Sequence, residues 1–157
     1  MIDGLKERHY DIIVTHKDPK DDELYTFPYR DERLSLLVPK DHPLAKHPVL
    51  ELKDLDDMNI LLLTEIGFWY ELAKERLHNV HFRYMDERNA FMDVVGLSSF
   101  PSFTTNAYVQ DEVKESVVIP LDDDFAYAIY YVSVLKEELP HYLRLLRSLK
   151  ERFAIKG

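Results

Sequence analysis

The stretch Arg33–Ala45, RLSLLVPKDHPLA, constrains the fold more than any other. Leu34, Leu36 and Val38 alternate with Ser35 and Leu37, and this period of two predicts a strand with one buried face. Pro39 ends the strand, because proline has no N–H to give to a ladder. Asp41-His42-Pro43 makes a turn in which His42, preceding a proline, is pushed toward an extended backbone. Leu44 then anchors the chain on the far side of the turn.

Strands and helices alternate around this stretch. Gly4–Glu7 reads as the last turn of a helix. Tyr10–Thr15 (YDIIVT) is a near-continuous apolar run, the pattern of a strand buried on both faces of a parallel sheet. Lys17–Glu23 is a charged loop, and Leu24–Tyr29 is extended again despite Pro28, which an edge or crossing strand tolerates. Met58–Leu63 is a second buried strand. Phe68, Leu72, Ala73 and Leu77 recur at helical spacing. Val80–Asp86 alternates as a third strand, and a helix over Arg88–Val95 is predicted to end at Gly96. Phe100–Thr105 is extended, Tyr108–Lys114 is a short helix, and Val117–Leu121 is a strand. Asp122-Asp123-Asp124 turns the chain into the long strand Ala126–Leu135. Pro140 opens a final helix, with Leu143, Leu146, Leu149 and Phe153 on one face. Such alternation predicts an α/β fold with largely parallel pairing.

The 157 residues suffice for one domain or two small lobes. The net charge of −9 repels phosphate backbones, so no nucleic-acid contact by this chain is expected. The absence of cysteine excludes disulfides, thiol catalysis and thiolate zinc sites. The N-terminal MIDGLKERHY lacks an apolar signal core, and no apolar run approaches the ~20 residues of a membrane span. The expected location is cytoplasmic, with no membrane partner.

The strand ending in Val38-Pro39, the following Asp41-His42-Pro43-Leu44-Ala45 and the Leu50-Glu51-Leu52-Lys53-Asp54-Leu55 segment together resemble the effector-binding domain of LysR-type transcriptional regulators. Upstream, Leu5 and then Tyr10-Asp11-Ile12-Ile13-Val14 are similar to the family's helix-to-strand passage. The resemblance extends downstream to Phe153. It implies an α/β, type 2 periplasmic-binding-protein-like fold: two lobes of mixed, mainly parallel sheets with flanking helices, and a small-molecule cleft between them. Residues 1–28 with 131–157 would form the first lobe, and 29–130 the second. It also implies a non-enzymatic sensor of a small metabolite, expected to be an organic anion, with no cofactor. Two other readings compete: a stand-alone solute-binding protein or enzyme on the same fold, and a degenerate fragment without a ligand.

The sequence departs from the family in two ways. The DNA-binding helix-turn-helix, the linker helix and the first strand, helix and strand of the first lobe are expected upstream of Leu5, so the first lobe is expected to be incomplete. A homodimer joined through that lobe is the consequence anticipated, because the YDIIVT strand would lack neighbours. Further on, the family's "G-x-G-x-x-x-l-P" is replaced by Gly96-Leu97-Ser98-Ser99-Phe100-Pro101.

Ligands of open α/β sheets sit beyond the carboxyl ends of strands and at helix N-termini. Three places qualify. Thr15 and His16 end the first strand. Thr64, Glu65, Ile66, Gly67 and Phe68 lie between a buried strand and a helix, where Thr64 is a candidate cap and the backbone N–H groups of Gly67 and Phe68 are candidate anion donors. Glu65 suits an anionic ligand poorly, and packing is the expectation for Trp69. The third place is the pair of crossing strands, Phe27–Arg30 and Tyr127–Tyr131, from which Tyr29, Tyr127 and Ile129 are taken as ligand contacts. No catalytic residue is expected, since no serine has the glycines of a nucleophile elbow. His78 and His81 straddle a helix end, and the triple aspartate lacks the spaced ligands of a calcium loop, so no metal is expected.

Overall fold

The computed structural model describes residues 1–106 and 115–152. The expected helix at 108–114 and the side chain of Phe153 lie outside the described residues. The elements in chain order are α1 (Ile2–Lys6), β1 (Ile13–Thr15), β2 (Leu24–Pro39), β3 (Asn59–Leu63), α2 (Trp69–Arg76), β4 (His81–Met85), α3 (Arg88–Leu97), β5 (Ser102–Thr105), β6 (Ser116–Pro120), β7 (Tyr127–Leu135) and α4 (Leu139–Arg152). They form two compact units: Met1–Glu32 with Ala128–Gly157, and Arg33–Tyr127. The chain passes between units within β2 and at the start of β7.

In the first unit the strand order is β1–β7–β2, with β1 antiparallel to β7 and Ile13 opposite Ser133. Strand periodicity sorts the core into two faces. Leu5, Ile13, Leu24 and Leu135 pack on one face beneath α1. Phe27, Val132, Val134 and Leu146 pack on the other beneath α4. A hydroxyl pair, Thr26 and Ser133 at 2.8 Å, satisfies the polar groups left within the α1 face. Charged contacts tie the surface together: Lys6 reaches Asp21 and Glu23, and Arg8 reaches Glu137 and Glu138.

β1 is not the doubly buried strand its apolar run predicts. Ile13 is buried, but Val14 is 41% exposed and Tyr10 is exposed. The reason is positional: β1 ends the strand order and has only β7 beside it among the described residues. The final helix follows its expected phase only in part. Leu146 is buried and Leu149 half-buried, whereas Leu143 is exposed.

In the second unit β2 lies between β5 and β6, antiparallel to both. Leu34, Leu36 and Val38 are fully buried, and so nearly are Ser35 and Leu37. The single buried face expected from alternation is therefore two buried faces. Leu37, Leu61 and Leu63 pack with Phe91 and Val95 of α3, which accounts for the face carrying Leu37. Pro39 is the last residue of β2, and His42 is extended at φ −67° and ψ 140°. The Leu44 N–H donates to His42 Nδ1 at 3.2 Å, and partial burial holds the His42 pKa below its ordinary value.

The sheet is mixed rather than largely parallel in its described registers. Parallel pairing joins β3 to β4 and β5, and an isolated parallel bridge joins Leu50 to Leu121. β3, β4 and β5 are the strands joined through α2 and α3, as parallel crossovers require. β2 instead reaches β3 through two short 3-10 segments, Pro43–Lys46 and Leu52–Leu55. Gly96 does not terminate α3. The helix continues to Leu97, and the backbone N–H of Ser98 closes it on the Val94 carbonyl. Among the described residues no helix is long and apolar enough to cross a membrane.

The asymmetry of α4 gives a direct test of the first unit's core. Leu146→Ala should cost about 2–5 kcal/mol, the usual loss for an emptied leucine site. Leu145→Ala, on the exposed side, should stay within about 0.5 kcal/mol. Urea denaturation followed by circular dichroism separates the two. Equal losses would mean that α4 is not held by Leu146.

Candidate functional site

In the first unit β1, β2 and β7 supply one polar cluster. Thr15 Oγ1 donates to the Lys17 carbonyl at 2.8 Å, fixing the turn that follows β1. This turn presents His16, whose ring meets the Tyr130 ring edge-on at 5.1 Å. The Arg30 guanidinium lies over the same ring, 5.0 Å from its centroid. Such stacking is favourable because the ring face is electron-rich. The Tyr130 hydroxyl donates a very short hydrogen bond to Glu32. Arg30 Nη2 stands 3.8 Å from the same carboxylate.

Glu32 is 3% exposed. A buried carboxylate without partners loses several kcal/mol of solvation. Here Tyr130 and Arg30 offset that loss. Burial first, and the neighbouring Glu32 second, push the Tyr130 hydroxyl far above the ordinary tyrosine range. It therefore stays protonated and acts as a donor. Arg30 is only partly committed: its Nε is buried with no hydrogen-bond partner.

The structure thus brings together two places that the sequence analysis treated separately, the end of β1 and the crossing strands. The individual residues differ in role. Tyr29 packs against the Phe27, Val132, Val134 and Leu146 cluster. Ile129 is half-buried, and Tyr127, which belongs to the second unit, is exposed. Glu32 was not singled out from the sequence. The Arg30-Asp31-Glu32-Arg33 run reads as a solvated connection, and the one signal against that reading is the tyrosine-rich strand AYAIYY, which offers hydroxyls to a buried acid.

In the second unit, Thr64–Phe68 connects β3 to α2. Thr64 N–H donates to the Met85 carbonyl at 2.9 Å, extending the β3–β4 pairing by one residue. Its hydroxyl donates to Asp86 Oδ1 at 3.0 Å. Thr64 therefore does not cap α2. The cap position falls to Phe68, which makes no side-chain cap bond. Ile66 is buried and closes a turn on the Leu63 carbonyl, while Glu65 is exposed. Trp69 is fully buried and packs on Phe68 with ring centroids 4.4 Å apart, so packing is its role. Its indole N–H has no hydrogen-bond partner. Gly67 has φ +75°, and no heavy atom lies within 4 Å of where a Cβ would stand.

Among the described residues no group of three or more His, Asp and Glu side chains is placed to hold a metal. Two candidate places result. One gathers a cation, a neutral donor and aromatic faces. The other gathers open backbone beside a helix start.

Gly67→Ala meets no neighbouring atom but forces a Cβ into left-handed backbone, at a cost of about 1–2 kcal/mol. Its thermal midpoint should fall with the circular dichroism spectrum unchanged. An unchanged midpoint would show that the loop does not need this conformation.

Comparisons with known proteins agree on one relationship. The family model described as the LysR substrate binding domain matches residues 1–154. The reduced OxyR regulatory domain from Pseudomonas aeruginosa superposes with a TM-score of 0.68 at 18% identity, covering 94% of this chain and 75% of that one. The Synechocystis PCC6803 CcmR regulatory domain in complex with 2-PG gives 0.66 at 19% identity, covering 98% and 78%. Full-length BenM gives 0.73 at 22% identity, covering 97% of this chain and 54% of that one. The comparison with curated proteins returned no match.

Proposed function

Because the chain belongs to the LysR substrate-binding-domain family, we propose that it responds to a small organic anion. It is an effector-sensing regulatory domain with a type 2 periplasmic-binding-protein-like fold. The family match over residues 1–154 carries this reading. The contacts assigned to the effector are Thr15, His16, Tyr29 and Ile129 in the first unit, and Thr64, Glu65, Ile66, Gly67, Phe68 and Tyr127 in the second. Their work is recognition without catalysis. An effector that binds one conformation better than another shifts the population toward it. The setting assigned to this work is the cytoplasm, where a transcriptional regulator acts.

A thermal-shift screen of small carboxylates tests the reading. Binding at 100 times Kd should stabilise the chain by about 2.7 kcal/mol. Hits should weaken on replacement of Thr15, His16, Thr64 or Gly67. Hits indifferent to all four would place the effector elsewhere.

The same reading makes the domain a homodimer joined through the first unit. β1 ends its strand order with Val14 exposed, and an edge strand offers unpaired backbone groups to a second chain. Ile13 is unsuitable as a probe because it is buried in its own unit's core. Val14→Lys leaves that core intact. Light scattering should report a dimer for the parent chain and a shift toward monomer for Val14→Lys. A monomeric parent would dismiss this interface.

A further inference from the structure

We infer that the turn Asp41-His42-Pro43 is an acid-sensitive latch: neutral His42 holds the 3-10 segment Pro43–Lys46 closed, and protonation of its ring loosens it. The turn lies in the second unit, and none of its residues is assigned to the effector. The inference is therefore independent of the effector reading. Its first support is the bond that closes the turn. The Leu44 N–H donates to His42 Nδ1 at 3.2 Å in a part-buried contact. A ring nitrogen that accepts a hydrogen bond carries no proton, so the ring is neutral with its proton on Nε2. A proton added at Nδ1 turns that acceptor into a donor facing a second donor, and the bond from the Leu44 N–H is lost.

The second support is a contrast within the same unit. The 3-10 segment Asp124–Ala126 opens on the same kind of bond, with Asp123 Oδ1 accepting from the Phe125 N–H at 2.9 Å. A carboxylate remains an acceptor down to about pH 4, whereas an imidazole ceases to be one in the mildly acid range. The turn after β2 thus carries the side chain that mild acid converts. Burial, opposed by the weaker pull of Asp41, holds the His42 pKa below its ordinary 6.5. Among the described residues, the other charges flanking the turn are Lys40, which pairs with Glu115 at 3.5 Å, and Lys46 at the end of the segment. A lowered folded-state pKa means that the stabilisation is complete above 6.5 and is lost as the pH falls through the folded value.

The third support is that the turn is clamped at both ends by backbone bonds, which do not titrate. Pro39 stands opposite Ser116 at the end of the β2–β6 pairing, and the Lys40 N–H donates to the Glu115 carbonyl at 3.0 Å. Beyond the turn, the Leu50 N–H donates to the Pro120 carbonyl at 3.0 Å, and the Leu50 carbonyl accepts from the Asp122 N–H at 2.8 Å. Loosening is thereby confined to the chain between Lys40 and Leu50. It frees Leu44 and Ala45, both half-buried, and leaves the sheet paired.

Nuclear magnetic resonance of the 157-residue chain between about pH 8 and about pH 5, the range of histidine titration, tests this alongside His42→Asn. Asparagine keeps an oxygen acceptor for the Leu44 N–H and does not titrate. In the parent the His42 ring signals should titrate with a midpoint below 6.5, and the Leu44 amide signal should move with the same midpoint. Protection of the Leu44 amide from hydrogen exchange should fall by roughly two- to ten-fold relative to the Leu50 amide, the net value of one hydrogen bond. The circular dichroism spectrum should not change over the same range. In His42→Asn the Leu44 amide should stay protected and its signal should not titrate. A Leu44 amide that ignores the His42 titration in the parent would overturn the inference, whether or not the variant folds. So would a Leu44 amide that titrates alike in parent and variant, or a loss of the circular dichroism spectrum along with the latch.

Discussion

β2 runs unbroken from Leu24 to Pro39. Apart from Pro28 and Pro39, each of its residues brings a backbone N–H that must find a partner. The partners are β7 in the first unit and β5 and β6 in the second. Pro28 has no N–H to lose and is exposed. Packing of the Leu37 face against Phe91 and Val95 of α3 explains why Leu37 is buried along with Leu34, Leu36 and Val38. β7, β5 and β6 are thus placed by pairing with one continuous segment, β1 pairs onto β7 and β3 onto β5 and β4, and the helices then cover the faces those strands create.

One acidic residue on β2 stands apart from this apolar economy. Glu32 is the last residue of the first unit before the chain passes on, and it is buried. A cavity or an apolar side chain would have been the simpler solution at that position, since a buried charge does not stabilise by itself. What the charge brings is geometry. It orients the Tyr130 hydroxyl, and Tyr130 in turn carries Arg30 on its face and His16 at its edge. Polar groups held this way have few alternative arrangements, which is the condition for a binding surface to discriminate between ligands.

The second unit solves a different problem at the start of α2. Its loop spends the Thr64 hydroxyl on Asp86 and the left-handed backbone on Gly67. The result is a helix without a side-chain cap beside a residue that blocks nothing. Local sequence pointed to this loop because a Thr and a Gly between a strand and a helix are conspicuous. It pointed to the wrong partner for Thr64. A cap needs only residues two or three positions on, whereas Asp86 lies 22 positions away and arrives only when β4 pairs with β3.

The same division runs through the whole molecule. Periodicity is a local property, and it was enough to locate the strands, the final helix and the turn at Asp41-His42-Pro43, and to support the family resemblance. It could not decide how many faces of a strand would be covered. YDIIVT and RLSLLV exchange their expected burials because β1 lies at the end of its order, whereas α3 covers the second face of β2. Nor could it pair Tyr130 with Glu32 across 98 positions. The sequence determined which residues are apolar and where the backbone turns, because those follow from each side chain and its nearest neighbours. Only the tertiary structure decided which polar groups share a low-dielectric site, because that depends on which strands lie side by side.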